Sequence, residues 1–414
     1  MKRIDELLIL PASLHDAGRY DEALDHYRAI RSLAEHSPLY WNNLGNTLLE
    51  LNRHYEAFQS YRRAVKILPQ LIDTRVAMAT CLQMLGHRDL AMSVCNSVLR
   101  QDSGNAEAHW NRALLLLQAG DYRHGWQEYE WRWRRTRFTS PKRNFSQPAW
   151  TGGPLAGRRL LVHAEQGLGD TIQFARYLPL LREQGASLLF ECHPPLTELL
   201  QSVDPQIPVT AFGETDVSCF DLHAPLLSLP HLLGAGGEIP SRTPYLAAPP
   251  ARHQFWERVL DLKRKTFKVG LCWQGKSYPD PLRSCPADAL TPLAGIAGVE
   301  YFSLQADQTI VRPDLAIHDL SMALLDFSDT AAVISRLDLV ITIDTSVAHL
   351  AGALGKPAWV MLPKAPDWRW GISGDTTVWY PGMRLFRMEK KSNWHEMIRR
   401  VAGTLQEYCA TTRS

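Results

Sequence analysis

Three stretches of this chain put polar side chains where an apolar run gives way to a helix or loop, and each has chemistry open to it. The first, His163 to Leu181, reads HAEQGLGDTIQFARYLPLL: a glycine-spaced turn that delivers Asp170 to the start of an amphipathic helix. A carboxylate held at such a junction can be aimed within hydrogen-bond reach of an incoming hydroxyl and take its proton. Asp170 with Gln173 also has the spacing of a capping box, whose side chains satisfy open backbone donors of the helix start. The two roles are compatible only if one carboxylate oxygen stays free. The second stretch is DTSVAHLAG, in which Asp344 ends a strand-like run and Thr345 and Ser346 open a helix carrying His349. The N–H groups and dipole of a helix start suit a diphosphate; plain capping with a partly buried His349 is the other reading. The third is the loop after FKVGLCW, which holds Lys276 and Arg283. A cation there can stabilise a departing nucleoside diphosphate without a metal, in keeping with a sequence that has no D-x-D motif; two exposed loop cations are also unremarkable.

Other residues are more ambiguous. Gln305 ends YFSLQ as a polar residue at a strand terminus, while Trp368, Trp370 and Trp379-Tyr380-Pro381 either offer flat faces to a sugar or base or pack beneath a loop. No histidine spacing suggests a metal site. Gly167-x-Gly169 after a strand, with Glu191 about 20 residues on, matches part of a dinucleotide fingerprint. The third glycine position is Ile172, which compromises the close helix–phosphate approach that fingerprint needs.

These residues need elements to hold them. RRLLVHA (158–164) reads as a strand, DTIQFARYLPLLREQG (170–185) as a helix closed by Gly185, and SLLFEC (187–192) as the next strand, which makes a parallel βαβ unit. After Pro-rich text to residue 250 and a helix-like stretch at 251–263, a second set follows. FKVGLCW, EYFSLQ, LVITID and PAWVML read as its strands, DTAAVISRL and SVAHLAGALG as its helices. A last helix runs from Asn393 to about Tyr408. Two doubly wound domains in tandem place the C-terminal ends of both sheets around one cleft, where open α/β sheets bind their ligands.

The first 135 or so residues are helical in pattern and repeat with a step of 34. Gly18, Asn52, Gly86 and Gly120 keep that step, and these types tolerate the left-handed conformation of a tight inter-helix turn. Ala23, Ala57, Ala91 and Gly125 keep it as small residues between paired helices, and Tyr27, Tyr61, Cys95 and Tyr129 keep it again. The second unit, with Trp41, Leu44, Gly45, Ala57, Tyr61, Ala64 and Pro69, resembles the tetratricopeptide repeat, and about four stacked hairpins are expected. The first unit departs from the pattern with Pro11 inside its first helix. At the end of the region, Trp126, Tyr129 and Trp133 are spaced to share a helix face, expected to pack on the next domain, beside a cluster of paired or solvated arginines at 132, 134, 135 and 137. Three prolines and three glycines within 139–157 mark a linker.

Composition sets the outer limits. The chain has 414 residues, 45% of them hydrophobic, enough for real cores, and a formal charge of +2 that does not point to nucleic acid. Seven scattered cysteines without a C-x-x-C pair read as reduced thiols, and the N-terminal text does not read as a signal peptide, so a cytoplasmic location is expected. No run approaches the roughly 18 apolar residues of a membrane span.

In its three-part order and in the stretches HAEQGLGDTIQFARYLPLL, GLCWQGKSYPDPLRSCP, ITIDTSVAHLAGALGKPAWVMLP and PDWRWG…WYPGMRLFR, the chain resembles inverting GT-B glycosyltransferases of the heptosyltransferase-like family. More specifically it resembles the bacterial forms fused to tetratricopeptide repeats, similar in layout to protein O-GlcNAc transferases. The resemblance implies an α plus α/β fold: tetratricopeptide repeats at 1–138, then two Rossmann-like α/β domains in GT-B arrangement. These would be an acceptor-side domain at 139–250 and a nucleotide-sugar domain at 251–391, with a C-terminal helix at 392–414 packing back on the catalytic half. It implies transfer of a sugar, with inversion and without a metal or other cofactor, from a nucleotide diphosphate donor to a hydroxyl of a protein or peptide presented by the repeats. ADP-heptose and UDP-N-acetylglucosamine are the donors it raises. Asp170 would be the base. Asp344, Thr345, Ser346 and His349 would meet the donor phosphates, Lys276 or Arg283 would supply the cation, and Gln305 would meet the nucleoside. The alternative is an inactive nucleotide-sugar-fold scaffold joined to a partner-binding module.

Overall fold

Where the step of 34 residues places glycine or asparagine, the backbone turns over in the left-handed region: φ is 73° at Gly18, 57° at Asn52, 84° at Gly86 and 83° at Gly120. The computed structural model describes residues 4–234, 238–240, 242–260, 266–276, 280–306, 313–389 and 393–412. The boundary expected at 391/392 lies outside the described residues. The chain divides into two compact units, Met1–Phe138 and Thr139–Ser414.

The first unit is a series of antiparallel helical hairpins. Helices α1 (Ile4–Asp16) and α2 (Tyr20–Ala29) are followed by the single turn α3 (Arg31–Ala34), then α4 (Pro38–Glu50) with α5 (His54–Ile67), α6 (Ile72–Met84) with α7 (Arg88–Gln101), and α8 (Ala106–Gln118) with α9 (Tyr122–Tyr129). Helix α1 continues through Pro11. Ser37 caps α4 by accepting from the Tyr40 amide, with Pro38 at the first helical position, where its missing N–H costs nothing. The small residues do what their spacing requires: Ala23, Ala57 and Ala91 are wholly buried, and a Cβ on Gly45 would sit 2.5 Å from the Tyr61 ring. Trp126 and Tyr129 are buried and make ring contacts with each other, with Tyr122 and with Trp110 of this same unit. Trp133 does not share their helix face, because α9 tightens into a 3₁₀ turn at Glu130–Arg134, where three residues per turn replace 3.6; it packs on Phe138 instead. The arginines beside it pair with Glu130, Glu107 and Glu50 or lie over Trp131.

The second unit holds two parallel sheets. In the first, β1 (Arg159–His163) leads through α10 (Leu168–Phe174), a 3₁₀ turn and α11 (Leu178–Glu183) to β2 (Ser187–Cys192). The short α12 (Thr197–Leu200), β3 (Val209–Ala211), β4 (Leu222–Pro225) and α13 (Leu229–Leu232) follow, with strand order β3-β2-β1-β4. Ala149 in the linker forms an isolated parallel bridge with His223. After α14 (Pro250–Val259), the second sheet takes β5 (Phe267–Cys272), β6 (Val299–Ser303), β7 (Ile317–Asp319), β8 (Leu339–Ile343), β9 (Ala358–Leu362) and β10 (Met383–Arg387) in the order β10-β9-β8-β5-β6-β7. Helix α15 (Phe327–Ser335) precedes β8, α16 (Ser346–Ala353) joins β8 to β9, and α17 (Trp394–Thr412) closes the chain. β8 and β9 are buried along their whole length, as strands covered on both faces must be, which explains their unbroken apolar text. Helix α17 lays Met397, Ile398, Val401, Ala402 and Leu405 into the same core as β5, β8 and β9. In both sheets the strand order reverses beside the first strand, and the crevice at such a switch point is where ligands settle. The register pairs Cys272 with Thr342, so the loops leaving β5 and β8 start side by side.

Six cysteines are buried and Cys219, in the 3₁₀ turn before β4, is exposed. Among the described residues no helix is long and apolar enough to cross a membrane.

Candidate functional site

Asp170 sits one turn inside the reach of its own loop. The helix begins earlier than its apolar spacing suggests, because Gln166 takes φ 60° and Gly167 serves as the N-cap. Asp170 is therefore the third helical residue, and its Oδ2 accepts from the Gly167 N–H at 2.8 Å. The capping box expected from Asp170 and Gln173 is thus corrected: Asp170 is the far end of a box that opens at Gly167, and the Gln173 Oε1 accepts from Arg369 Nε at 2.5 Å. The second oxygen of Asp170 is engaged as well, since Oδ1 forms an ion pair with Arg369. A carboxylate has about four lone-pair sites, so each oxygen has a second lone pair beyond the bond just described. The turn is braced from outside: Ser140 Oγ accepts from the Gln166 amide at 2.8 Å, and His193 Nε2 lies 3.1 Å from the Gln166 carbonyl.

Helix α10 abuts the start of α16. A Cβ on Gly169 would lie 2.9 Å from His349 Cδ2 and 3.3 Å from Ser346 Cα, so only glycine lets the two helices meet this closely. Thr345 is the N-cap of α16 but makes no side-chain capping bond; its hydroxyl lies 3.3 Å from Thr342 Oγ1 and 3.7 Å from Cys272 Sγ. The Asp344 carboxyl is pushed up to about 6, first by burial and then by the like charge of Asp367, with Trp370, Arg369 and Arg283 pulling the other way. His349 is buried, lies 5.6 Å from the Trp370 ring and nearly parallel to it, and pairs through Nδ1 with the Tyr380 hydroxyl at 3.0 Å. Burial, aided by Arg369 and Arg176, pushes its pKa well down, so the imidazole is neutral near pH 7.

Arg283 lies against the same loops. Its Nη1 donates to the Asp344 carbonyl at 3.3 Å and its Nη2 to the Lys276 carbonyl at 3.1 Å, while its Nε is buried without a hydrogen-bond partner among the described residues. Lys276 is exposed; burial lowers the His193 pKa against the Gln166 carbonyl and Asp170, and the Lys276 charge adds a smaller push in the same direction as burial. The structure therefore brings Asp170, Lys276, Arg283, Asp344, Thr345, Ser346 and His349 into one neighbourhood at the facing ends of the two sheets. Gln305 has a different occupation. Its Oε1 accepts from the amides of Trp273 and Gln274 at 2.8 and 2.9 Å, and its Nε2 donates to the Gln274 carbonyl at 3.1 Å. It braces the loop that carries Lys276.

Sequence reasoning missed Arg369, Asp367, His193 and Arg176. Arg369 stands inside PDWRWG between two tryptophans; those at 368, 370 and 379 are all buried, which is the packing outcome. Its partner at 170 is 199 residues away, a distance no spacing rule spans. Arg176 is almost fully buried and gives its protons to the carbonyls of Gln173 and Trp379, with Tyr245 and Tyr380 rings 4.7 Å from its guanidinium carbon. Glu191, the acid that a dinucleotide reading needs for ribose, is buried and held by Arg143 at 2.7 Å and the Gly213 amide at 2.8 Å.

The family described as the tetratricopeptide repeat matches residues 13–72, so the hairpins at the N-terminus include tetratricopeptide repeats. Protein FlbA of Caulobacter vibrioides is 26% identical over 434 residues, covering 97% of this chain and 72% of that protein. Among solved structures, a glycosyl transferase family 9 protein from Veillonella parvula DSM 2008 aligns with 62% of this chain and 99% of its own, at 14% identity and a TM-score of 0.41. The crystal structure of MamA aligns with 31% of this chain and 75% of its own, at 16% identity and a TM-score of 0.30.

Proposed function

We propose that the second unit is an inverting glycosyltransferase of GT-B type, with two Rossmann-like lobes, that moves a sugar from a nucleoside-diphosphate donor to a hydroxyl, and that the repeats present a protein or peptide acceptor. The observation that carries this reading is the apposition of a fixed carboxylate, Asp170, to the N-terminus of α16 across Gly169. The donor diphosphate would lie on the amides at Thr345 and Ser346, where the helix start favours negative charge. Arg283, whose Nε has no hydrogen-bond partner among the described residues, and Lys276 would take up charge as the leaving group departs. Neutral His349 would line the phosphates without adding charge. In the step itself the acceptor oxygen bonds to the anomeric carbon as the bond from that carbon to the phosphate oxygen breaks. The nucleoside diphosphate leaves with the electron pair, and the hydroxyl proton passes to an open lone pair of Asp170. One displacement on the far face inverts the configuration.

The second reading, a scaffold that binds nucleotide without turnover, draws on the engagement of both Asp170 oxygens. Calorimetric titration with ADP and UDP, followed by nucleoside-diphosphate release from ADP- and UDP-sugars over an acceptor panel, separates the two. The transferase reading expects Asp170→Asn to bind nucleoside diphosphate as the parent does and to lose turnover by roughly 100-fold or more. Full activity in that variant refutes the base assignment, and binding without turnover in the parent chain favours the scaffold.

A further inference from the structure

Arg369 reaches Asp170 from the loops of the opposite sheet. It belongs to the 3₁₀ turn Trp368–Trp370 that follows β9, whereas Asp170 and Gln173 belong to α10, which follows β1. Its donors fan out in three directions. Nη1 bonds Asp367 of its own turn at 2.9 Å, Nε bonds Gln173 Oε1 at 2.5 Å, and Nη2 bonds Asp170 Oδ1. Residues 170 and 173 are neighbours on one helix face, so a planar fork can hold both at once. The fork is itself held on the near side. Asp367 Oδ1 accepts from the Arg369 amide at 3.0 Å, and the Trp368 ring lies 4.4 Å from the guanidinium carbon. The group is 9% exposed, so these bonds are little weakened by solvent.

We propose that Arg369 is the positioning residue for Asp170, so that the proton-accepting carboxylate is aligned only while the two sheets of the second unit are held together. The inference rests on the reading of Asp170 as the base. The Gly167 amide fixes one carboxylate oxygen from within the first lobe. Arg369 fixes the other from the second lobe, and with both bonds made the carboxylate plane cannot rotate. Removing the fork leaves the helix start and the amides of α16 in place, so donor contacts survive while the aim of the base is lost. A lysine ammonium is a point donor on a flexible stem, and it cannot hold residues 170 and 173 together in the fork geometry.

The test uses the full chain with Arg369→Met, Arg369→Lys and Asp170→Asn. ADP and UDP binding by calorimetry reports folding and the donor site. Steady-state release of nucleoside diphosphate from the donor that supports turnover gives kcat and KM separately. Amide hydrogen exchange across residues 167–174 reports the pinning of α10. Expected for Arg369→Met is a 10- to 100-fold loss of kcat, with donor KM and diphosphate Kd within about 3-fold of the parent and faster exchange in α10. Arg369→Lys recovers only part of kcat. Retention of kcat within about 2-fold in Arg369→Met, with Asp170→Asn inactive, overturns the proposal and leaves the base reading standing. A matched fall in kcat and in diphosphate affinity shows a merely structural ion pair and also overturns it. Full turnover by Asp170→Asn removes the base, and the positioning role falls with it.

Discussion

Asp344 is the carboxyl whose chemistry the fold changes most visibly within the site. Its folded value of about 6 lies above the ordinary 3.8, so the folded chain holds this proton more tightly than the unfolded one. Its contribution to stability is therefore complete below about pH 4 and is lost as pH rises through about 6. Asp344→Asn, a neutral isostere, should flatten that part of the profile and stabilise the unit near pH 7 by roughly 1–3 kcal/mol. Urea unfolding of parent and variant at pH 4.5 and pH 7 checks it; a variant with the parent's pH dependence shows that Asp344 ionises normally. At this scale the sequence was informative about placement and poor on partners. Asp170, Arg283 and Asp344 were found because each follows a strand, and strand ends converge by topology. The bonds to Asp170 from Arg369, and to Gln305 from the 273–274 amides, join segments far apart in the chain, and local pattern carries no trace of them.

Helices and turns were far more legible, since their causes are local. A left-handed turn residue and a small residue at each helix crossing recur at every step because each hairpin faces the same steric demand. The second hairpin shows that demand sharply, with the Tyr61 ring filling the space a side chain at position 45 would need. Gly45→Val is expected to lower the stability of the repeat unit by about 2–4 kcal/mol, read as an earlier thermal or urea transition. The misreading at Trp133 has an equally local cause: a change of helical pitch after Tyr129, which residue spacing alone does not announce. Gly169 is the corresponding test in the second unit. His349 opposite it is buried and bonded to Tyr380, so it cannot yield to a Cβ at 2.9 Å. Gly169→Ala should push α10 off α16 and cut turnover by at least 10-fold, with the tetratricopeptide hairpins unaffected. Unchanged kcat in that variant shows that the close approach is dispensable.

The division of the whole chain at Phe138 and Thr139 has a thermodynamic signature. Each unit has its own buried core, so calorimetric unfolding of the full protein should show two transitions. Saturating ADP or UDP should raise only the one that belongs to residues 139–414, by the binding linkage, while Gly45→Val lowers only the other. A single transition that responds to both perturbations refutes independent units. The distribution of sulfur adds a practical consequence. With the other six thiols shut inside, an alkylating dye offered to the native protein has a single address, Cys219, on the turn that enters β4 of the first sheet. The unmutated chain thus carries its own attachment point for a reporter beside the first sheet.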